Sequence, residues 1–261
     1  MSANENRASH QRYNLEFDIK DDLVYSMTEQ TKTKSYYLRI KDKKALKGKP
    51  IAWLLIEREE HYVYDADNSV RTASLRLSYQ RITHTLQQRG YRPSPFTANF
   101  EHDGYSGQCV DLTGGGVFMD LPGLKGQRIG TYLMNQIVLW VEQWPDAVVK
   151  PITLFASDVK TDEARDRRNR FYEQFDLEFN YEDPTENRSG VSKPMVVNEL
   201  KSVSYWDENI KEYSLNAFAY VMIEKTDTLE HAVSSLKETQ NWMETHPFQA
   251  MWWQLRSFFA R

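Results

Sequence analysis

The chain has 261 residues, 40% hydrophobic and 13% aromatic, enough apolar material for the core of one domain with an extension. A formal net charge of −4 argues against a sequence-independent nucleic-acid binder, which needs a basic face to displace counterions from phosphates. The lone cysteine, Cys109, cannot close an intramolecular disulfide; with a polar stretch from Met1 to Arg12 and no run of about 18 apolar residues, it predicts a cytoplasmic protein without a membrane span.

Residues 1–12 read as a disordered lead-in. Leu15, Phe17 and Ile19 alternate with polar residues, as do Tyr36, Leu38 and Ile40, which is the period of a half-buried strand. Ile51 to Ile56 is a nearly continuous apolar run. The lysine-rich turn from Lys41 to Lys49 before it makes a hairpin of the two strands. Leu75, Tyr79, Ile82 and Leu86 have helical spacing and predict a helix over 74–89; residues 96–111 are ambiguous between strand and loop. Val117 to Leu121 reads as a strand after Gly114, Gly115 and Gly116. Ile129, Leu133, Ile137, Trp140, Val141 and Trp144 then mark an amphipathic helix that Pro145 stops. Ile152 to Ala156 predicts a strand. Asp162 to Phe175 predicts a helix capped by Thr161, and Met195 to Leu200 a closing strand. Beyond residue 205 the pattern is helical. Asp227 and Glu230 fit a capping box, followed by Leu229, Val233, Leu236, Gln240 and Met243 on one face. From Pro247, Phe248, Met251, Trp252, Leu255, Phe258 and Phe259 form an aromatic stripe. It can pack on the domain, join two copies as a homodimer or, with little basic character, lie on a membrane surface.

Chemistry concentrates in Leu121-Pro-Gly-Leu-Lys-Gly-Gln-Arg-Ile-Gly-Thr131, between a strand and a helix. Unpaired N–H groups at the helix start and the helix dipole favour an anion there. Gly126 and Gly130 admit close backbone approach, and Lys125 and Arg128 add charge. A phosphate or pyrophosphate fits this chemistry; the same pattern also describes a plain turn into an amphipathic helix. The glycine spacing matches neither a Walker A loop nor a dinucleotide fingerprint.

Lys125-Gly-Gln-Arg-Ile-Gly130 resembles the R/Q-x-x-G-x-G/A signature of the GNAT superfamily of N-acetyltransferases, with Lys125 at the R/Q position, Arg128 at the first glycine and Gly130 at the last. Asn169-Arg-Phe-Tyr-Glu-Gln-Phe-Asp-Leu-Glu-Phe179 resembles the family's F-Y-x-x-x-G-F block, with Asp176 in place of the glycine. Pro194 to Leu200 resembles its closing strand.

The resemblance implies an α/β (α+β) fold: a GNAT-like mixed, splayed central sheet flanked by helices. The domain would span 13–204, with 61–112 an insertion or variable region and 205–261 a C-terminal helical extension. It further implies acetyl-CoA as acyl donor. Pantetheine would lie along residues 118–121 (Phe118, Met119, Asp120, Leu121), with Asn169 on its arm. The pyrophosphate would sit on Gly126, Gln127, Arg128, Ile129, Gly130 and Thr131, beside Lys125. Tyr172 aligns with the family's acid. Asp120 is the nominated base, with Glu101, Asp111 or a water relay as alternatives. The implied activity is acetyl transfer to a primary amine of unidentified acceptor; the alternative is a coenzyme A-binding or regulatory module without transfer. His61, His84 and His102 lack metal-ligand spacing, so no metal is expected. Arg165, Arg167, Arg168 and Arg170 can reach a 3′-phosphate or an acidic partner, or form a solvated face balanced by Asp162, Glu163, Asp166 and Glu173.

Overall fold

Among the described residues, segments of alternating polarity build one large sheet with a buried helix packed on it. The computed structural model describes residues 28–83, 94–104, 107–114, 121–249 and 251. The lead-in, the strand at Leu15 to Ile19, residues 84–89, residues 115–120, and the aromatic stripe beyond Met251 lie outside the described residues.

Five strands follow one another as an antiparallel meander: β1 (Thr28–Ile40), β2 (Ala52–Tyr64), β3 (Val70–Arg81), β4 (Phe96–Asp103) and β5 (Gly107–Asp111). The hairpin expected around Lys41 to Lys49 is present, with Tyr36 opposite Ile56 and Ile40 opposite Ala52. Both of its strands run several residues beyond their apolar segments.

The helix expected over 74–89 is strand β3 as far as Arg81. A spacing of four residues keeps two side chains on one face of a strand as well as of a helix, so Leu75 and Tyr79 satisfy both periods. Ala73 and Leu77, buried along with them, supply the period of two that decides for the strand. Residues 61–112 therefore contribute β3, β4 and β5 to the centre of the sheet.

From β5 the chain crosses over through α1 (Ile129–Val141) to β6 (Val148–Val149), which pairs with β5 in parallel. Ten of the thirteen residues of α1 are buried. The indole of Trp144, just beyond it, stacks on Phe100 at 3.9 Å.

The parallel pairing covers Cys109 with Val148 and Val110 with Val149. The chain then leaves the large sheet: β7 (Thr153–Leu154) pairs with β9 (Gly190–Ser192), which also pairs with β8 (Phe179–Tyr181), in a separate three-stranded sheet. Between β7 and β8 lies α2 (Asp162–Glu173), where Thr161 Oγ1 accepts from the Ala164 N–H at 3.2 Å as the sequence predicts.

Two expectations fail near the C-terminal end. Met195 to Leu200 is no strand: one bridge joins Val196 to Val148, and Val197–Glu199 is a 3-10 turn. The Glu199 carboxylate accepts from the Val196 N–H at 2.8 Å and turns the chain there. Residues after 205 are not all helical. A 3-10 turn at Tyr205–Glu208 leads into β10 (Ile210–Ser214), which adds to the free edge of β1. Ser214 caps α3 (Leu215–Thr245), with its Oγ accepting from the Ala217 N–H at 3.1 Å. Asp227 and Glu230 thus fall inside a helix, because neither proline nor glycine interrupts the chain from Leu215 to Thr245. Among the described residues no helix is long and apolar enough to cross a membrane.

Candidate functional site

The loop that leads into α1 is two successive tight turns, with Leu124 N–H donating to Leu121 O and Gln127 N–H to Leu124 O. Leu121 and Leu124 are buried and anchor it to the core, while Lys125 and Gly126 face solvent. Gly123 and Gly126 both have φ 76°, a left-handed conformation that glycine takes without steric cost.

Arg128 shares that conformation, with φ 64°, at the position immediately before the helix. For a residue with a Cβ this costs about 1–2 kcal/mol. The guanidinium offsets it by donating to Tyr205 O and to Glu208 Oε2, both at 2.6 Å, while lying 5.0 Å from the Tyr205 ring.

Other contacts hold the loop. Gln127 accepts from the Lys43 N–H at 3.0 Å and donates to Asp42 Oδ1 at 3.3 Å, tying the loop to the β1–β2 turn. Hydrogen bonds from the Lys44 N–H and from Gln127 keep the Asp42 carboxyl below the usual range. Buried Asn209 donates to Gln127 O and Lys41 O. Gln174, at the end of α2, donates to Thr131 Oγ1 at 3.3 Å.

Lys43 Nζ lies 3.9 Å from where a Cβ on Gly126 would stand. Lys43 thus puts an ammonium group against the loop ahead of a helix start with no side-chain cap, and Lys125 stands exposed in the same loop; the N–H groups and the helix dipole there favour an anion. Lys43, Asp42, Asn209 and Glu208 went unassigned in the sequence. The only signal was the lysine density of the turn from Lys41 to Lys49, which reads as punctuation until β1 and β2 are paired.

Elsewhere the predicted residues have identifiable partners. Ile129 and Thr131 are buried in the first turn of α1, and Gly130 is half-buried between them. Asn169 is buried, donating to Asn187 O at 3.0 Å and accepting from Arg168 Nε. Tyr172 is buried too, its ring against Phe171 and Phe179. Burial pushes its phenol up to about 12. Glu101 pairs with Lys150 at 3.3 Å. Asp111 Oδ1 accepts from the Thr113 and Gly114 N–H groups and closes the end of β5. In the arginine run, Arg165 pairs with Asp162 and Asp166, and Arg167 with Glu163, whereas Arg168 donates to the carbonyls of Phe155, Asn187 and Arg188. Phe118, Met119 and Asp120 lie outside the described residues.

A second polar cluster, also unassigned in the sequence, lies between α1 and the sheet. The Tyr132 hydroxyl is 2.8 Å from both the Tyr36 hydroxyl and Glu212 Oε1. Burial raises both phenols, that of Tyr36 to about 12, so they remain neutral hydrogen-bonding groups. Arg58 donates to Gln136 on α1 and to Glu60, whose other oxygen accepts from Tyr62; Tyr62 in turn accepts from the Trp140 indole. These contacts orient α1 across the sheet.

Set against family models, curated proteins and solved structures, the chain matches none of them. What the coordinates establish is a mixed α/β protein with a large, mostly antiparallel sheet.

Proposed function

We propose that this chain is an acetyl-CoA-dependent N-acetyltransferase of GNAT-like architecture, acting on a primary amine. The observation that carries the reading is the crossover at the edge of the large sheet. β5 and β6 run parallel for two residue pairs, β7 then departs to a second sheet, and the loop at 121–131 opens the helix between them. A chain that leaves a parallel pair for a second sheet resembles the switch points at which open α/β sheets bind ligands.

The departure from the signature at Arg128 also supports the reading. The position where the motif carries glycine keeps a left-handed backbone, φ 64°, although an arginine fills it. Since Arg128 is committed to Glu208 and Tyr205, the cations for a pyrophosphate are Lys125 and Lys43.

In the transfer the amine nitrogen attacks the thioester carbonyl carbon. The C–N bond forms, the C–S bond breaks, and the amine proton passes to a base or to water. Burial keeps the Tyr172 phenol protonated at neutral pH, the form that a proton or hydrogen-bond donor to the departing thiolate needs. Tyr172 serves there as a hydrogen-bond donor that stabilises the thiolate.

The second reading, a coenzyme A-binding or regulatory module, is favoured by the internal commitments of Arg128 and Asn169. Calorimetry with coenzyme A separates the possibilities. The native chain should bind, and Lys125→Glu or Gly130→Trp should weaken binding at least about tenfold, which is about 1.4 kcal/mol. Unchanged affinity in both variants removes the loop from the site. Release of free thiol from acetyl-CoA with a panel of amines distinguishes transfer from binding alone.

A further inference from the structure

α3 leaves the body of the protein after its first two turns. Phe218 packs on Tyr37 and Trp53, with ring centroids 3.9 Å and 5.0 Å apart, and Ala217, Val221 and Met222 are half-buried. From Ile223 to Trp242 every residue is exposed, a rod about 30 Å long at 1.5 Å per residue. Leu229, Val233 and Leu236 are 66%, 49% and 69% exposed. Helices in water are stabilised chiefly by packing an apolar face, and the fold of one chain leaves Leu229, Val233 and Leu236 exposed.

The spacing of that face specifies what it packs against. Thr226, Leu229, Val233, Leu236, Gln240 and Met243 follow at intervals of three, four, three, four and three. This is a 3.5-residue repeat, a narrow seam that two helices share by supercoiling, whereas a helix lying on a core shows a broader 3.6-residue stripe. Thr226, Val233 and Gln240 occupy one class of seam position and Leu229, Leu236 and Met243 the other. β-branched residues at the first, here Thr226 and Val233, and leucine at the second favour two parallel strands, and Gln240 breaks the apolar seam once in its C-terminal half. The Thr226 hydroxyl already donates to Met222 O at 2.9 Å, so the seam can close over it without orphaning a donor.

Lys225 and Glu230 flank the seam on opposite sides. In a parallel, in-register pair, Lys225 of each copy faces Glu230 of the other, and the twofold axis gives that pair twice. We propose that α3 is a dimerisation helix, through which two copies of this chain join as a parallel two-stranded coiled coil over residues 226–243. The proposal is independent of the acetyltransferase reading.

Light scattering on the full chain is expected to give the mass of two chains. Leu229→Asp with Leu236→Asp is expected to give one, with the thermal transition of the sheet domain retained, because both side chains are exposed. In a Cys109→Ser background, Val233→Cys should oxidise to a covalent dimer while Asp227→Cys, on the outer face, should not. A single-chain mass for the native protein at its highest soluble concentration overturns the proposal, as does a dimer that survives the double substitution or a mass above two chains. A dimer whose Val233→Cys form does not cross-link overturns the parallel register.

Discussion

α1 and α3 are both written with apolar residues at helical spacing, yet one is nearly swallowed by the protein and the other has no buried residue. The difference lies in the width and period of the apolar surface. Around α1 it extends through Tyr132, Leu133, Met134, Ile137, Val138, Trp140 and Val141, more than one stripe can hold, and the helix is enclosed by the sheet and by the chain returning near Trp206. Along α3 it is a single seam. A count of apolar residues would rank the two together; only the geometry of the stripe separates a helix that builds the domain from one that projects from it.

The largest test of this contrast is a matched pair of truncations. Ile137→Ala removes a fully buried side chain and should cost about 2–5 kcal/mol in denaturant unfolding. Leu236→Ala, measured where the copies are dissociated, should move the unfolding transition by no more than about 0.5 kcal/mol. Comparable losses would mean that α3 is held by the domain after all. Next in size, Tyr132→Phe strips the polar cluster beneath α1. It leaves the Tyr36 hydroxyl with one partner fewer in a buried position and should cost about 1–3 kcal/mol, read from the same unfolding curves.

The smallest effect is a pH dependence on the sheet side of that cluster. Burial pushes the Glu60 carboxyl up, but the hydrogen bonds from Tyr62 and Arg58 outweigh it and hold the group below its ordinary 4.5. A depressed carboxyl contributes stability above 4.5 and loses it as pH falls through the folded-state value. Glu60→Gln should therefore flatten the decline in denaturant midpoint on the acid side of 4.5, leaving α3 variants with the native slope.

The elements legible in the sequence were those whose signal is local. The β1–β2 hairpin, the wide stripe of α1 and the Thr161 cap of α2 each depend on a few adjacent residues. β3 was obscured because Leu75 and Tyr79 fit two periods at once. β10 was hidden by its brevity and by Lys211 and Glu212, which follow Ile210 in a strand that makes the sheet's outer edge. At the candidate site, the glycines and Lys125 stand in the loop itself and were readable. Lys43 and Glu208 reach it from 84 residues before Gln127 and 80 after Arg128, and no local pattern announces such partners.

The pairing of β1 with β10 also bears on how the chain is made. Tyr36 finds its partner in Ser214 and Ile40 in Ile210, so this edge of the sheet cannot close until Ser214 has left the ribosome. At about 5–20 residues per second, β1 waits roughly ten to thirty seconds with one row of backbone groups unpaired. An unpaired edge invites pairing with a neighbouring nascent chain. Lys32 and Lys34 stand just before the segment that β10 covers, and repel a like strand along the exposed part of β1 during that interval and after it. Neutralising them should lower the soluble yield of newly made protein more than it lowers the stability of the finished one.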